Sequence, residues 1–168
     1  ERISWRYCHV FLRDEFLDGQ GRPIGADHPL SFEGYFRRNV LPHVDLPESQ
    51  FTVPHPFRIE EASERIAALG GIDVCYGGIG YHGHIAFNDP PVADFNDPYT
   101  VKRVALDEAC RRQQVGEGHF ASLETAPGDA LTVTCSASLG FRHVICGVPE
   151  GRKSAAVGNQ LNGPIRQD

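Results

Sequence analysis

The stretch Gly77 to Pro90, GGIGYHGHIAFNDP, does most to limit what this chain can fold into. It follows the apolar run Ile72, Val74, Cys75 and Tyr76, which reads as a short buried strand, and it brings four glycines, two histidines, an asparagine and an aspartate into fourteen residues. Such chemistry at the carboxyl end of a strand marks the ligand edge of an open α/β sheet, where backbone and side chains from several strands reach one crevice. Gly77, Gly78, Gly80 and Gly83 are candidate substrate-binding positions, because a backbone without Cβ lets a ligand come close.

Around this loop, strand-like and helical runs alternate. Trp5 to Leu12 is aromatic and β-branched enough for a strand, ending at Arg13-Asp14-Glu15-Phe16. Asp18 to Pro29 is polar and glycine-rich and reads as a loop, and Ser31 stands where a helix N-cap belongs, ahead of Phe32, Tyr35, Phe36 and Val40 at helical spacing. Prolines 42, 47, 54 and 56 make residues 42 to 58 an irregular connector, and Glu60 to Leu69 is a second helix that stops at Gly70-Gly71. Beyond the loop come a strand over Thr100 to Leu106, a helix capped by Asp107, a loop from Gly116 to Gly128, and Ala130 to Cys135 as strand or the start of a short helix. A buried strand over Arg142 to Val148 and an amphipathic helix over Glu150 to Leu161 follow. The order predicts one α/β domain over residues 1–168, with a mostly parallel, Rossmann-like sheet flanked by helices.

Gly77 to Pro90 resembles the signature of the glucosamine-6-phosphate deaminase (isomerase) family, and Gly83 to Pro90 fits it without a gap. The related 6-phosphogluconolactonases share the Gly-x-x-Gly-His core but continue differently from Ala86-Phe87-Asn88. Phe11 to Phe16 is similar to the family's strand ending in Asp-Glu-Tyr/Phe, and His28-Pro29 with Ser31, Tyr35 and Phe36 resembles its His-Pro-x-Ser helix entry. His43-Val44-Asp45, Ala130-Leu131-Thr132 and the segment carrying Lys153 fall in the family's order. Against that pattern the chain is expected to lack an N-terminal strand with a Gly-Gly-Thr/Ser-Pro phosphate loop, and the family's C-terminal end.

The resemblance implies roles for particular residues. Asp14 would carry a proton between C2 and C1 of an amino-sugar phosphate, a task suited to a carboxylate whose pKa burial lifts toward neutrality. His84 would open the sugar ring, since imidazole offers both protonation states near neutral pH. Asp89 takes the acidic position, commonly Glu, that orients this histidine. His82 departs from the pattern: well-characterised deaminases carry Asp there as a third member of the catalytic group, and a histidine reverses the charge possible at that position. Lys153 matches the lysine that holds the 6-phosphate. The family's other phosphate cation aligns nearest Gln114, leaving Arg111 and Arg112 either as substitutes or as ordinary solvated helix charges.

The expected activity is therefore aldose–ketose isomerisation with deamination, glucosamine-6-phosphate and water giving fructose-6-phosphate and ammonia. Two alternatives stand beside it: a 6-phosphogluconolactonase-type hydrolase, and a sugar-phosphate-binding protein without turnover. No cofactor is expected, and no metal, because His82 and His84 lack a third ligand cluster. The net charge of −6 and the absence of a basic run argue against nucleic acid, and no apolar stretch approaches a membrane span. Five scattered cysteines without CxxC spacing, and a polar opening from Glu1 to Arg6, point to reduced thiols in the cytoplasm; Cys8, Cys75 and Cys146 are expected to be buried. The composition leaves a homo-oligomer open.

Overall fold

In the computed structural model residues 3–149 and 151–165 are described. The first expected strand is much shorter than its composition suggests. Only β1 (Val10–Phe11) pairs, in parallel with β3 (Phe51–Thr52), because Asp45 accepts from the Trp5 amide at 2.5 Å and from Ser4 Oγ at 2.7 Å and closes the preceding residues into a turn. The backbone then changes sheets within two residues. The Leu12 amide still donates to Thr52 O, whereas Arg13 O already accepts from Val133 N. Asp14 therefore opens a second strand, β2 (Asp14–Leu17), instead of closing the first.

β2 belongs to a three-stranded sheet of order β2-β6-β5, with β5 at Val101–Ala105 and β6 at Asp129–Val133. A further pair joins β4 (Val74–Gly77) to β7 (His143–Cys146) in parallel. The expected α/β class with parallel pairing thus holds in β1/β3 and β4/β7. The β2-β6-β5 sheet is antiparallel throughout, a direction that short alternating runs do not encode.

The helices are α1 (Phe32–Asn39), α2 (Ile59–Ala68), α3 (Glu108–Gly116), α4 (Cys135–Leu139) and α5 (Ser154–Asn162). Three begin on the expected kind of residue: Ser31, Asp107 and Thr134 each accept a backbone N–H from three residues on, satisfying a donor that the helix itself leaves unpaired. Thr134 resolves the Ala130–Cys135 run into a strand followed by a helix. The last helix was expected from Glu150, which lies outside the described residues; a 3-10 turn at Gly151–Lys153 precedes α5.

The core lies on the antiparallel sheet. Phe16, Phe87, Val104, Leu106, Cys110 and Ala130 form one buried cluster, and Ala62, Val101 and Val133 another. β7, expected to be buried, is exposed along its whole length, and so are Cys146 and Cys8, whereas Cys75 and Cys110 are buried. Cys8 lies ahead of the two residues of its run that become sheet, and among the described residues β7 pairs with β4 alone. No helix among the described residues is long and apolar enough to cross a membrane.

Candidate active site

Asp14 and Thr132 stand directly opposite each other on β2 and β6. The Thr132 hydroxyl lies 3.2 Å from Asp14 Oδ1, to which it donates, and accepts from the Phe87 amide at 3.1 Å. Phe87 is three residues past His84, so one threonine ties the strand of Asp14 to the loop of His84. Burial pushes the Asp14 carboxyl up to about 6, against the pull of the Arg13 guanidinium and the Thr132 hydrogen bond; Glu15 adds to the push and His84 opposes it. A carboxylate near 6 can both take and return a proton near neutral pH.

The glycine loop is held by residues that lie beyond its glycines. Phe87 is buried and sits 5.0 Å from Phe16, centroid to centroid. Asn88, 3% exposed, donates from its amide to Ile85 O at 2.9 Å and to Val133 O at 2.8 Å. These contacts explain why an apolar ring and a carboxamide must follow the His-Ile-Ala segment. Ala86 takes φ +58°, a left-handed conformation that only the surrounding anchors can enforce on a residue with a Cβ.

Gly80 is required by His84. A Cβ there would fall 2.2 Å from the ring's Cε1 and Nε2, so the imidazole lies flat on backbone that must be bare. The loop closes with Gly80 N donating to His84 O and Gly83 N to Gly80 O, and Gly83 has φ +88°. His84 Nδ1 comes within 2.7 Å of Asp89 Oδ1, both side chains mostly buried. The approach is out of line for a full hydrogen bond, leaving Nδ1 without one, a misalignment common in sites that tighten around a ligand. Asp89 also reaches the buried thiol of Cys110 on α3, where burial first and the Asp89 carboxylate second push that thiol up to about 12.

His82 and His84 line one cleft of about 680 Å³, together with Tyr81, Asn88, Phe95 and the Asn159 and Gln160 face of α5. Gln160 donates to Gly83 O, docking α5 on the loop. His82 is exposed, and neither Asp14 nor Lys153 contributes to the lining. Lys153 stands at the start of α5 with Nζ 5.3 Å from the centre of the Tyr81 ring, beside the Arg152 guanidinium at 4.8 Å, so the loop and the expected phosphate lysine are in contact through an aromatic face. Gly78 leads out of β4, where an added Cβ would meet only Gly147 O at 3.5 Å.

Arg111 and Arg112 do not join this group. Arg111 donates to Leu123 O and Ala126 O and lines a separate hollow with His28 and Phe120, and Arg112 pairs with Glu108 on the surface of α3. Among the described residues no group of three His, Cys, Asp or Glu side chains could hold a metal ion. Two residues without an expected role, Thr132 and Arg13, gain importance from the structure. Thr132 falls in the Ala130-Leu131-Thr132 segment and Arg13 directly before the acidic pair, both within stretches that resemble the family.

Known proteins resemble the chain over nearly all of its length. It is 33% identical to a glucosamine-6-phosphate deaminase of Bacillus pumilus, covering 94% of this chain and 63% of that protein. It is 26% identical to the deaminase of Exiguobacterium sibiricum (100% and 64%), and 30% identical to human glucosamine-6-phosphate deaminase 1 (92% and 53%). The chain thus spans less than two-thirds of the length of these relatives. A solved monomeric glucosamine-6-phosphate deaminase superposes with a TM-score of 0.81 at 26% identity, over 98% of this chain and 66% of that one. The 6-phosphogluconolactonase of Thermotoga maritima, at 16% identity and a TM-score of 0.67, shares the fold. No protein-family profile matches the chain.

Proposed function

We propose that this chain, which belongs with the glucosamine-6-phosphate deaminases in the superfamily they share with the 6-phosphogluconolactonases, carries the proton-handling centre of an amino-sugar-phosphate deaminase. The reaction is glucosamine-6-phosphate and water to fructose-6-phosphate and ammonia. His84 exchanges a proton with the ring oxygen and the anomeric hydroxyl, opening the pyranose. Asp14 then removes the C2 proton and returns it to C1, and the resulting C2 imine takes up water and releases ammonia. Asp89 holds the imidazole in the tautomer that faces the sugar, and Lys153 supplies the charge that pairs with the 6-phosphate.

One observation carries the reading: a carboxyl brought to about 6 by burial, joined through Thr132 to the loop whose histidine is backed by an aspartate. A base of that strength can take a carbon-bound proton and still give it back. Lactone hydrolysis needs only a base that activates water, whereas the deamination also needs the same carboxyl to give its proton back at the neighbouring carbon, and assaying both reactions separates the two.

The test is a parallel assay of ammonia release from glucosamine-6-phosphate and of hydrolysis of 6-phosphogluconolactone. Ammonia release that falls at least about a hundredfold in Asp14→Asn and in His84→Gln is the expected result. Lactone hydrolysis without ammonia would move the chain to the sister activity, and tight sugar-phosphate binding by calorimetry with neither product would make it a binding protein. His82→Asp, which restores the acid usual at that position, is expected to keep or raise ammonia release.

A further inference from the structure

Asp14 and His84 are supplied by two sheets that share no hydrogen-bonded strand pair among the described residues. Asp14 comes from β2, in the antiparallel sheet, and His84 from the loop that leaves β4. A proton carrier and a ring opener serving one substrate need a fixed separation, because misplacement by an ångström is costly to rate. Thr132 supplies one link between them. A second is made by the residue just before Asp14, in the link between β1 and β2.

The Arg13 guanidinium crosses from the residue ahead of β2 to the end of β4, where Nη1 donates to Tyr76 O at 3.3 Å. It lies directly over Gly77: a Cβ built there would be 2.1 Å from the same Nη1. Gly77 has no left-handed φ that would call for glycine, so what its bareness provides is room for this guanidinium. Arg13 Nε is buried with no hydrogen-bond partner among the described residues, so the guanidinium is held there by its Nη1 contacts and its charge. On the other side of Asp14, Glu15 is fully buried and accepts from Ser31 Oγ, Phe32 N and Glu33 N at the start of α1. Asp14 is therefore braced through both neighbours, toward the helix by Glu15 and toward the glycine loop by Arg13.

We propose that Arg13, seated on the bare backbone of Gly77, is a positioning residue that docks the strand of Asp14 against the loop of His84 and sets the charge environment in which Asp14 works. The proposal rests on the reading of Asp14 as the proton carrier, and it gives Gly77 a role in seating a protein side chain instead of substrate. The groups that act on Asp14 are its two chain neighbours Arg13 and Glu15, Cys75 from β4, His84 from the loop, and the non-titrating Thr132 hydroxyl from β6. Of these, Arg13 is the main charge favouring the ionised carboxyl.

The experiment follows the Asp14 carboxyl by carbon-detected NMR titration in the full chain without substrate, for the wild type, Arg13→Met, Gly77→Ala and the double variant. Arg13→Met removes the charge and keeps an unbranched side chain of similar reach, and the Asp14 midpoint is expected to rise by roughly half to one pH unit. Gly77→Ala keeps the charge but pushes the flexible guanidinium off its seat, so the midpoint is expected to rise in the same direction. The double variant should match Arg13→Met alone, because the alanine then has nothing to displace.

An unmoved midpoint in Arg13→Met overturns the proposal, and a shift there with none in Gly77→Ala overturns the seat. Circular dichroism screens each variant for folding, and either single variant suffices if the other fails to fold. The acid limb of the pH profile of ammonia release should move up with the NMR midpoint. If the midpoints move as expected and no variant or wild type releases ammonia, the functional reading fails and the role of Arg13 stands.

Discussion

The sheet that carries Asp14 and the sheet that feeds His84 are opposites in burial. In β2-β6-β5, Leu17, Val101, Ala130 and Leu131 are each no more than 1% exposed. In β4-β7, Val74 is 44% exposed, Tyr76 70%, Val144 49% and Ile145 50%. Parallel pairs are ordinarily covered on both faces, so β4-β7 contributes little burial of its own among the described residues. The His84 loop is accordingly held by the other sheet: Phe87 packs on Phe16, the Phe87 amide donates to Thr132 Oγ1 on β6, and the Asn88 side chain donates to Val133 O of the same strand. Two residues past the histidine, the loop has left the sheet that launched it.

The largest way to break this contrast is to empty the buried side. Leu131→Ala is expected to cost about 3–5 kcal/mol in chemical denaturation, near the upper end for a leucine with no solvent contact. Val144→Ala on β7, half exposed, should stay within about 0.5 kcal/mol. Equal losses would mean that the exposed pair is as important to folding as the core sheet.

Phe87→Ala comes next, at about 3 kcal/mol, and it tests whether the loop is anchored across sheets. Its signature is local as well as global. Hydrogen exchange should quicken at the amides of Gly80, Gly83 and Asn88, which close the loop, well before β4 and β7 lose protection. Simultaneous loss in β4 would show that the loop and its launching strand form one unit.

The contrast also explains what could be read from the sequence. The glycine loop was legible because its chemistry is local: the bare backbone under His84, the carboxylate five residues on, and the phenyl and amide anchors all lie within fourteen residues. Helix starts at Ser31 and Asp107 were legible for the same reason. Asp14 was placed at the end of the wrong strand, since the change of sheet at Leu12-Arg13 depends on β3 and β6, which lie far along the chain. Burial of β7 was misjudged because an apolar run signals a strand but not whether anything covers it. Arg111 and Arg112 illustrate the limit most plainly. Charge and helical spacing were visible, but only the path of residues 120–128 decides that Arg111 fastens a loop.

A smaller effect than that of either core truncation isolates the cost of placing Asp14 where it is. Its carboxyl is raised from 3.8 to about 6, chiefly by burial, so between those values the folded chain binds a proton that the unfolded chain has lost. Stability therefore falls as pH rises through this window and levels off above about 6. Asp14→Asn has no such proton to lose. Relative to wild type it should gain stability between pH 4 and pH 7, on the order of 1–2 kcal/mol once solvent screening is allowed for. Denaturation of both proteins at the two pH values measures the difference directly. A gap that stays constant from pH 4 to pH 7 would place the Asp14 midpoint in the ordinary carboxylate range and leave no strong base beside His84. A widening gap means the fold gives up stability to keep this carboxyl basic, in the sheet with most stability to lose.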